Sequence, residues 1–394
     1  MKIENIRCRD LTGTMEFPGD FWEERLTRPI DIYPEHRIEG PAYLQRLDEH
    51  TYRMRSAFLE VHTDAGITGL SGPVSGSVAR SIMSEFEDLL LGEDPLAVEL
   101  LWDKMYRAAV HGRKGNTMMA ISALDCAFWD IRGKWANAPI YTLLGGPTRD
   151  RIPAYASMLG YAVDPERAAE RAREYAGRGY TAQKWFFRAG PGDGPEGIER
   201  NVALVKAVRE AIGPDADLML DCWMSWNLRY AKLMAPRIAP YSPRWIEEPV
   251  LPDQYDVCAE IRRAVPFPVS NGEHEYTRWG FAKLLDAEAQ DVLQPDIYWA
   301  GGITETRKIC TLASIRGVEV IPHGHSSHAT AHLIAAQPPH LCPIQEYLIK
   351  WNTVHQFFLK HKIEPVDGYI ALPEWPGLGL EIDEDLVEEE AILD

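Results

Sequence analysis

No apolar run in this 394-residue chain is long enough to cross a bilayer. The opening residues, Met1-Lys2-Ile3-Glu4-Asn5-Ile6-Arg7, lack the apolar core of a secretory signal. Membrane insertion is therefore not expected, and cytoplasmic residence is. The six cysteines, Cys8, Cys126, Cys222, Cys258, Cys310 and Cys342, are scattered, and none form C-x-x-C. That spacing offers no disulfide framework, and buried free thiols are the expectation. Basic residues are in deficit: 41 Lys and Arg against 59 Asp and Glu leave a formal charge of −18. Nucleic-acid binding needs a basic footprint, so that class of partner is excluded. The same charge gives an anionic substrate no long-range steering, which a metal and local cations must then supply. Low-complexity tracts and close sequence repeats are absent as well.

What the chain does contain is a rhythm. Its length favours two domains. After Arg151, β-prone and helix-prone segments alternate. Strands are predicted at 152–156, 182–186, 217–221, 244–247, 269–273, 291–294, 318–322 and 344–348, with seven helical patterns between them, from 165–178 to 328–336. Alternation of this kind means a parallel sheet, and eight units mean a closed barrel. The first ~115 residues read differently, as a small α+β domain. A hairpin is predicted from 54–62 and 65–70, turning at Thr63-Asp64-Ala65-Gly66, and helices follow at 77–91 and 98–109. Residues 17–41 mix prolines, aromatics and charges without a period, as lids and binding loops do. Residues 116–145 are strongly helical and lead into the barrel, which is expected over 116–350. The rhythm stops after Tyr347, and the tail, 351–394, is expected to fold back onto the N-terminal domain through residues 368–394.

Asp221, Glu247 and Glu273 are spaced 26 residues apart, and each closes a strand-like run. One strand and its returning helix take about 25 to 30 residues, so the three acids belong at the same end of consecutive strands. Clustered carboxylates repel unless a cation lies between them, and an all-oxygen set favours a hard ion such as Mg²⁺. Lys184, Asp296, His323 and Glu346 fall at or near other strand ends. Asp296 and His323 are again one unit apart, and a carboxylate that fixes an imidazole's tautomer makes it a general base. A metal to hold a carboxylate and a base on its α-carbon are the parts needed to enolise a carboxylic acid. The run His323-Gly324-His325-Ser326-Ser327-His328 continues to His332, but its spacing fits no zinc site. Trp185, Trp223 and Trp299 follow strand ends and are read either as pocket walls or as core.

These residues resemble the enolase superfamily in its mandelate racemase and muconate lactonising branch. The resemblance rests on 120–134, Leu218-Met219-Leu220-Asp221, Trp245-Ile246-Glu247-Glu248-Pro249, Asn271-Gly272-Glu273-His274, Gln294-Pro295-Asp296, Gly301-Gly302 and His323. Within that branch, 218–225, 272–274, 322–324 and the loop 190–198 are most similar to acid-sugar dehydratases of the L-rhamnonate dehydratase type. The resemblance implies a modified TIM barrel, (β/α)7β, under an α+β capping domain built from the N-terminal segment and the C-terminal tail. It implies one Mg²⁺ per subunit on Asp221, Glu247 and Glu273, an Asp296–His323 dyad, a small acid-sugar substrate and a homo-oligomer. Racemases of this branch carry Lys-x-Lys on the second strand, whereas this chain has Lys184-Trp185-Phe186. One base suits dehydration: His323 takes the α-proton and returns it to the departing hydroxyl. Lys184 then binds the substrate carboxylate, His274 is a second acid or hydroxyl ligand, and Glu346 hydrogen-bonds the enolate. Substrate contacts are expected from His36, Arg37, Arg53 and Arg55 in the capping domain, and from Arg188, Trp299 and His325. The expected reaction is dehydration of a five- or six-carbon aldonic acid to a 2-keto-3-deoxy acid. The alternative is a racemase or epimerase working through the same enolate, with His274 as the other acid.

Overall fold

The protein is described here by a computed structural model covering residues 1–37 and 44–393. Residues 38–41 of the segment read as a lid, and Asp394 of the tail, lie outside the described residues. Four N-terminal strands, β1 (Ile3–Glu16), β2 (Gln45–Arg46), β3 (Thr51–Thr63) and β4 (Thr68–Val74), form an antiparallel sheet. The expected hairpin is β3–β4. The long strand β1 was not expected. Its polar and charged residues hide the period, but from Cys8 to Leu11 both faces are buried. Arg9 is neutralised inside this sheet by Glu60, Glu384 and Glu390.

The barrel strands are β5 (Arg151–Ser157), β6 (Ala182–Phe186), β7 (Asp217–Asp221), β8 (Trp245–Glu247), β9 (Val269–Asn271), β10 (Val292–Leu293), β11 (Glu319–Val320) and β12 (Gln345–Leu348). Consecutive strands pair in parallel from β5 to β11, and β12 returns to pair with β5. A hydrogen bond from Val320 N to Leu341 O (2.7 Å) joins the two remaining edges. Strands buried on both faces read as near-continuous apolar runs, which is why Asp217-Leu218-Met219-Leu220 was legible. Several helices between them are amphipathic, whereas Ser327–Ala336 is buried on all sides. In Pro165–Gly177, Asp164 caps the first turn through Arg167 N (3.0 Å), and Ala168, Ala172 and Tyr175 are buried.

The tail departs from expectation in two ways. A short eighth helix, Ile349–His355, continues the rhythm, and β13 (Tyr369–Ala371) pairs with β5 of the barrel. The end of the tail returns to the N-terminal sheet, with Glu384 on Arg9 and β14 (Glu389–Leu393) alongside β1. The helical stretch 116–145 divides into Asn116–Ala136 and Ile140–Leu143 at Asn137, whose φ of 49° ends the first helix.

The buried helix Asn116–Ala136 joins the two layers and sets the loop after β10. Its Asp125 accepts from Thr304 N (2.9 Å) and its Ser122 from Gly301 N (2.9 Å). Gly302 has φ +80°, and a Cβ there would lie 2.3 Å from Asp125 Oδ2, so glycine is required. No helix among the described residues is long and apolar enough to cross a membrane.

Candidate active site

Tyr155, Ala182, Met219, Trp245, Val292, Ile321 and Ile344 form one apolar cluster inside the barrel. Side chains alternate along strands, so the residue two positions later points inward one layer higher. Six of those positions carry Lys184, Asp221, Glu247, Gln294, His323 and Glu346. A polar layer therefore stands on an apolar plug at the C-terminal ends of the strands, where barrel active sites are built.

Lys184 Nζ lies 2.5 Å from Glu247 Oε1, 2.7 Å from Glu346 Oε1 and 3.7 Å from Asp221 Oδ2. Burial alone would lower its pKa, but Glu247 and Glu346 outweigh that and hold it well above the ordinary lysine value. The other oxygen of Glu247 accepts from Trp245 Nε1 (3.0 Å) and Gln294 Nε2 (2.8 Å). Glu346 Oε2 accepts from Gly324 N at 2.9 Å. Burial and the charge of Glu247 push Asp221 well above the ordinary carboxylate range, and burial raises Glu273 to about 7.

His323 Nδ1 is 2.7 Å from Asp296 Oδ2, and its Nε2 is 3.4 Å from Glu273 Oε1. Asp296 lies two residues past the short strand β10, where its Oδ1 caps the turn Ile297–Ala300 through Tyr298 N (2.7 Å). Burial would lower the His323 imidazole, but Glu273, Asp296 and Glu346 together raise it to about 10. His274 brings a second imidazole to the same carboxylate, with its Nε2 3.9 Å from Glu273 Oε1. Trp299 packs against both rings, at 5.2 Å from His323 and 5.4 Å from His274, and Trp223 lies 5.8 Å from His274. Trp299 and Trp223 thus wall the site, whereas Trp185 is core, fully buried and bonded to Gln183.

Glu248 was not anticipated. Its carboxylate holds His274 twice, at Nδ1 (2.7 Å) and at the backbone N (3.1 Å). Strand alternation would send Glu248 away from Glu247, but its φ of 40° turns it back. The doubled acid in Glu247-Glu248-Pro249 was the available signal. Glu248, Glu273 and His274 present ligand atoms all within 4.8 Å of one another, so Glu273 is common to this set and to the set with Asp221 and Glu247.

The expected substrate contacts are more dispersed. His36 is exposed on a short turn beside Tyr33. Arg37 donates to Asp31 O (2.7 Å) and Gly192 O (3.0 Å), and Arg188 to Glu24 (2.9 Å). Both arginines line a cavity of about 830 Å³ whose lining includes none of the polar-layer residues. Arg55 is paired with Asp10 and, with His325, lines a separate cavity of about 520 Å³. Arg53 is exposed on β3. Among the described residues, none of His36, Arg37, Arg55 and Arg188 makes a hydrogen bond or ion pair with the polar layer. Trp299 packs against His323 of that layer, and His325 lies 5.8 Å from Trp299.

The lid segment does lie over the strand ends. Glu23 N donates to Gly160 O and Thr27 N to Phe187 O (each 2.8 Å), past the ends of β5 and β6. Lys350, 2% exposed, fastens it from below through Glu23 Oε1 (3.0 Å) and Gly160 O (2.9 Å).

The profile of the mandelate racemase/muconate lactonizing enzyme N-terminal domain matches residues 37–145, and that of the enolase C-terminal domain-like fold matches 167–386. The chain belongs to this enolase-superfamily family. The mandelate racemase/muconate lactonizing enzymes it is similar to include the L-rhamnonate dehydratase of Saccharopolyspora erythraea, 34% identical with 97% of each chain covered. The D-galactarolactone cycloisomerase of Agrobacterium fabrum is also 34% identical, covering 90% of this chain and 96% of its own. Rhamnonate dehydratase from Gibberella zeae complexed with Mg superposes with a TM-score of 0.83 at 32% identity, over 98% of this chain and 95% of that one. The expected barrel under a capping domain is therefore this family's fold, and the chain is an enzyme of that family.

Proposed function

We propose that this enzyme is a Mg²⁺-dependent acid-sugar dehydratase that converts an L-rhamnonate-like aldonic acid of five or six carbons to its 2-keto-3-deoxy acid. The observation that carries the reading is the meeting of two imidazoles, His323 and His274, at Glu273 Oε1. Dehydration needs one proton removed and one delivered to the leaving hydroxyl, and this pair supplies both functions. The names of the relatives support the substrate class.

The residues fit a divalent cation. Asp221 and Glu247 are register partners on β7 and β8, and Glu273 follows β9. Burial and mutual repulsion raise Asp221, a strain that a cation among the carboxylates relieves. The all-oxygen set suits Mg²⁺ better than the set containing His274, whose Nδ1 is already taken by Glu248. Bound there, the ion supplies positive charge against the substrate carboxylate, which makes the α-proton more acidic.

Asp296 holds His323 Nδ1, and Nε2 is left to accept the α-proton when the Glu273 charge that raises the imidazole is offset by the cation. Lys184 donates toward the substrate carboxylate, and Glu346 keeps that ammonium charged and in place. His323 or His274 then donates a proton to the 3-hydroxyl as it leaves as water, and the resulting enol ketonises. A racemase needs a second base across the α-carbon. Phe186 stands where the branch's racemases place a lysine, and Lys184 is tied to carboxylates.

The test is incubation with Mg²⁺ and a panel of aldonic and aldaric acids, assayed for 2-keto-3-deoxy products. One strong hit on an aldonic acid is expected. Exchange of the α-proton with solvent and no loss of water would establish the racemase or epimerase reading instead.

A further inference from the structure

Lys184 is the one ammonium set among the polar-layer carboxylates, and it faces two of the three proposed metal ligands. Its shortest contact, 2.5 Å, is to Glu247 Oε1. Glu247 cannot swing away from that contact, because Trp245 and Gln294 hold its other oxygen. A divalent ion on Asp221, Glu247 and Glu273 would thus share a fixed, buried carboxylate with a buried ammonium. Two cations on one anion in a water-poor site repel strongly. Glu346 changes the balance. It also reaches Lys184, at 2.7 Å, belongs to neither ligand set, and is itself fixed by Gly324 N. It can keep the ammonium when a metal claims Glu247 Oε1.

We infer that Lys184 is a built-in competitor of the metal ion, and that Glu346 sets the strength of the competition by drawing the ammonium away from Glu247. Lys184 compensates the carboxylates when no ion is bound and weakens the ion's hold when one is. This rests on the proposed metal set of Asp221, Glu247 and Glu273. It gives two variants opposite signs. Lys184→Met removes the competing charge and strengthens Mg²⁺ binding, although turnover is lost. Glu346→Gln leaves the ammonium with Glu247 as its main charged partner and weakens Mg²⁺ binding. A merely structural role for the pair would weaken binding in both variants.

The experiment is calorimetric titration of Mg²⁺ into metal-stripped wild type, Lys184→Met, Glu346→Gln and Asp221→Asn, with thermal unfolding of each with and without the ion. Saturable binding by wild type and its loss in Asp221→Asn establish the metal set, and no binding by wild type overturns that set itself. Given wild-type binding, Lys184→Met is expected to bind about tenfold or more tightly. It should melt lower than wild type without Mg²⁺ and gain more on adding it. Glu346→Gln is expected to bind several-fold more weakly. Equal or weaker binding by Lys184→Met overturns the inference, as does tighter binding by Glu346→Gln. Should Lys184→Met not fold without the ion, Lys184→Gln, which removes the same charge but keeps a polar side chain, is titrated in its place and judged by the same sign.

Discussion

The polar layer inside the barrel and the segment that crosses the strand ends above it are built on different principles. Each polar-layer residue makes at least one contact to another in the same layer or to the acids beside it, and Gln294 does so through Glu247. Lys184 spans three carboxylates, and His323 spans Asp296 and Glu273. The lid is held at its edges, by Lys350 through Glu23, Arg188 through Glu24 and Arg37 through Gly192. The layer is thus a set of interlocked buried charges, while the segment above it is held by backbone hydrogen bonds, buried Phe21 and Leu26, and a few separable ion pairs. Substitutions in the layer should change turnover, and substitutions at the lid anchors should change apparent affinity.

The largest effect is expected from Asp221→Ala, Glu247→Ala or Glu273→Ala, each of which should abolish both Mg²⁺ binding and detectable turnover. Full activity after chelation would contradict the metal role. His323→Asn should lower kcat by about 10²- to 10⁴-fold while Mg²⁺ affinity and melting temperature stay near wild type. Glu248→Gln should lower kcat by about 10- to 100-fold with little change in KM, because it disturbs the orientation of His274 and not substrate binding. A rise in KM alone would move Glu248 to a binding role.

The lid gives the smaller effects. Glu23→Gln should raise KM by about 3- to 30-fold with kcat nearly unchanged, because it weakens the charge-assisted hydrogen bonds from Lys350 and Arg167. The same anchor should respond to pH. Burial lowers Lys350 to about 8, only partly opposed by Glu23. As pH rises through about 8 the ammonium loses its proton, its pull on Glu23 weakens, and KM should rise. Lys350→Arg keeps its charge throughout and should flatten that part of the profile. A matching rise in Lys350→Arg would assign it to other groups, such as His274, which Glu248 and Glu273 raise to about 9 against the pull of burial.

This division also explains what the sequence made legible. The strand ends were readable because two periods coincide there. Spacing near 26 residues places Asp221 and Glu247 at the ends of successive strands and Glu273 just past the next, and an apolar residue two positions before each polar-layer residue marks the inward face. Glu248 escaped because a positive φ breaks that alternation, and β1 because its buried charges are neutralised by acids from β3 and the distant tail. The tail's pairing with β5 had no local signal, since Tyr369-Ile370-Ala371 is too short to show a period. Residue type alone also does not reveal that, in the fold, Arg55 is paired with Asp10 and Arg188 with Glu24. Only tertiary pairing distinguishes a free cation from a neutralised one.

The central claim is that His323 removes the α-proton of an acid sugar in a Mg²⁺-dependent step. The most direct measurement is α-hydrogen exchange in D₂O, followed by NMR on the substrate found in the panel, for wild type, metal-stripped wild type and His323→Asn. The account requires deuterium exchange or deuterated product in the first sample alone. Exchange that persists in folded His323→Asn, or without the metal, would contradict it.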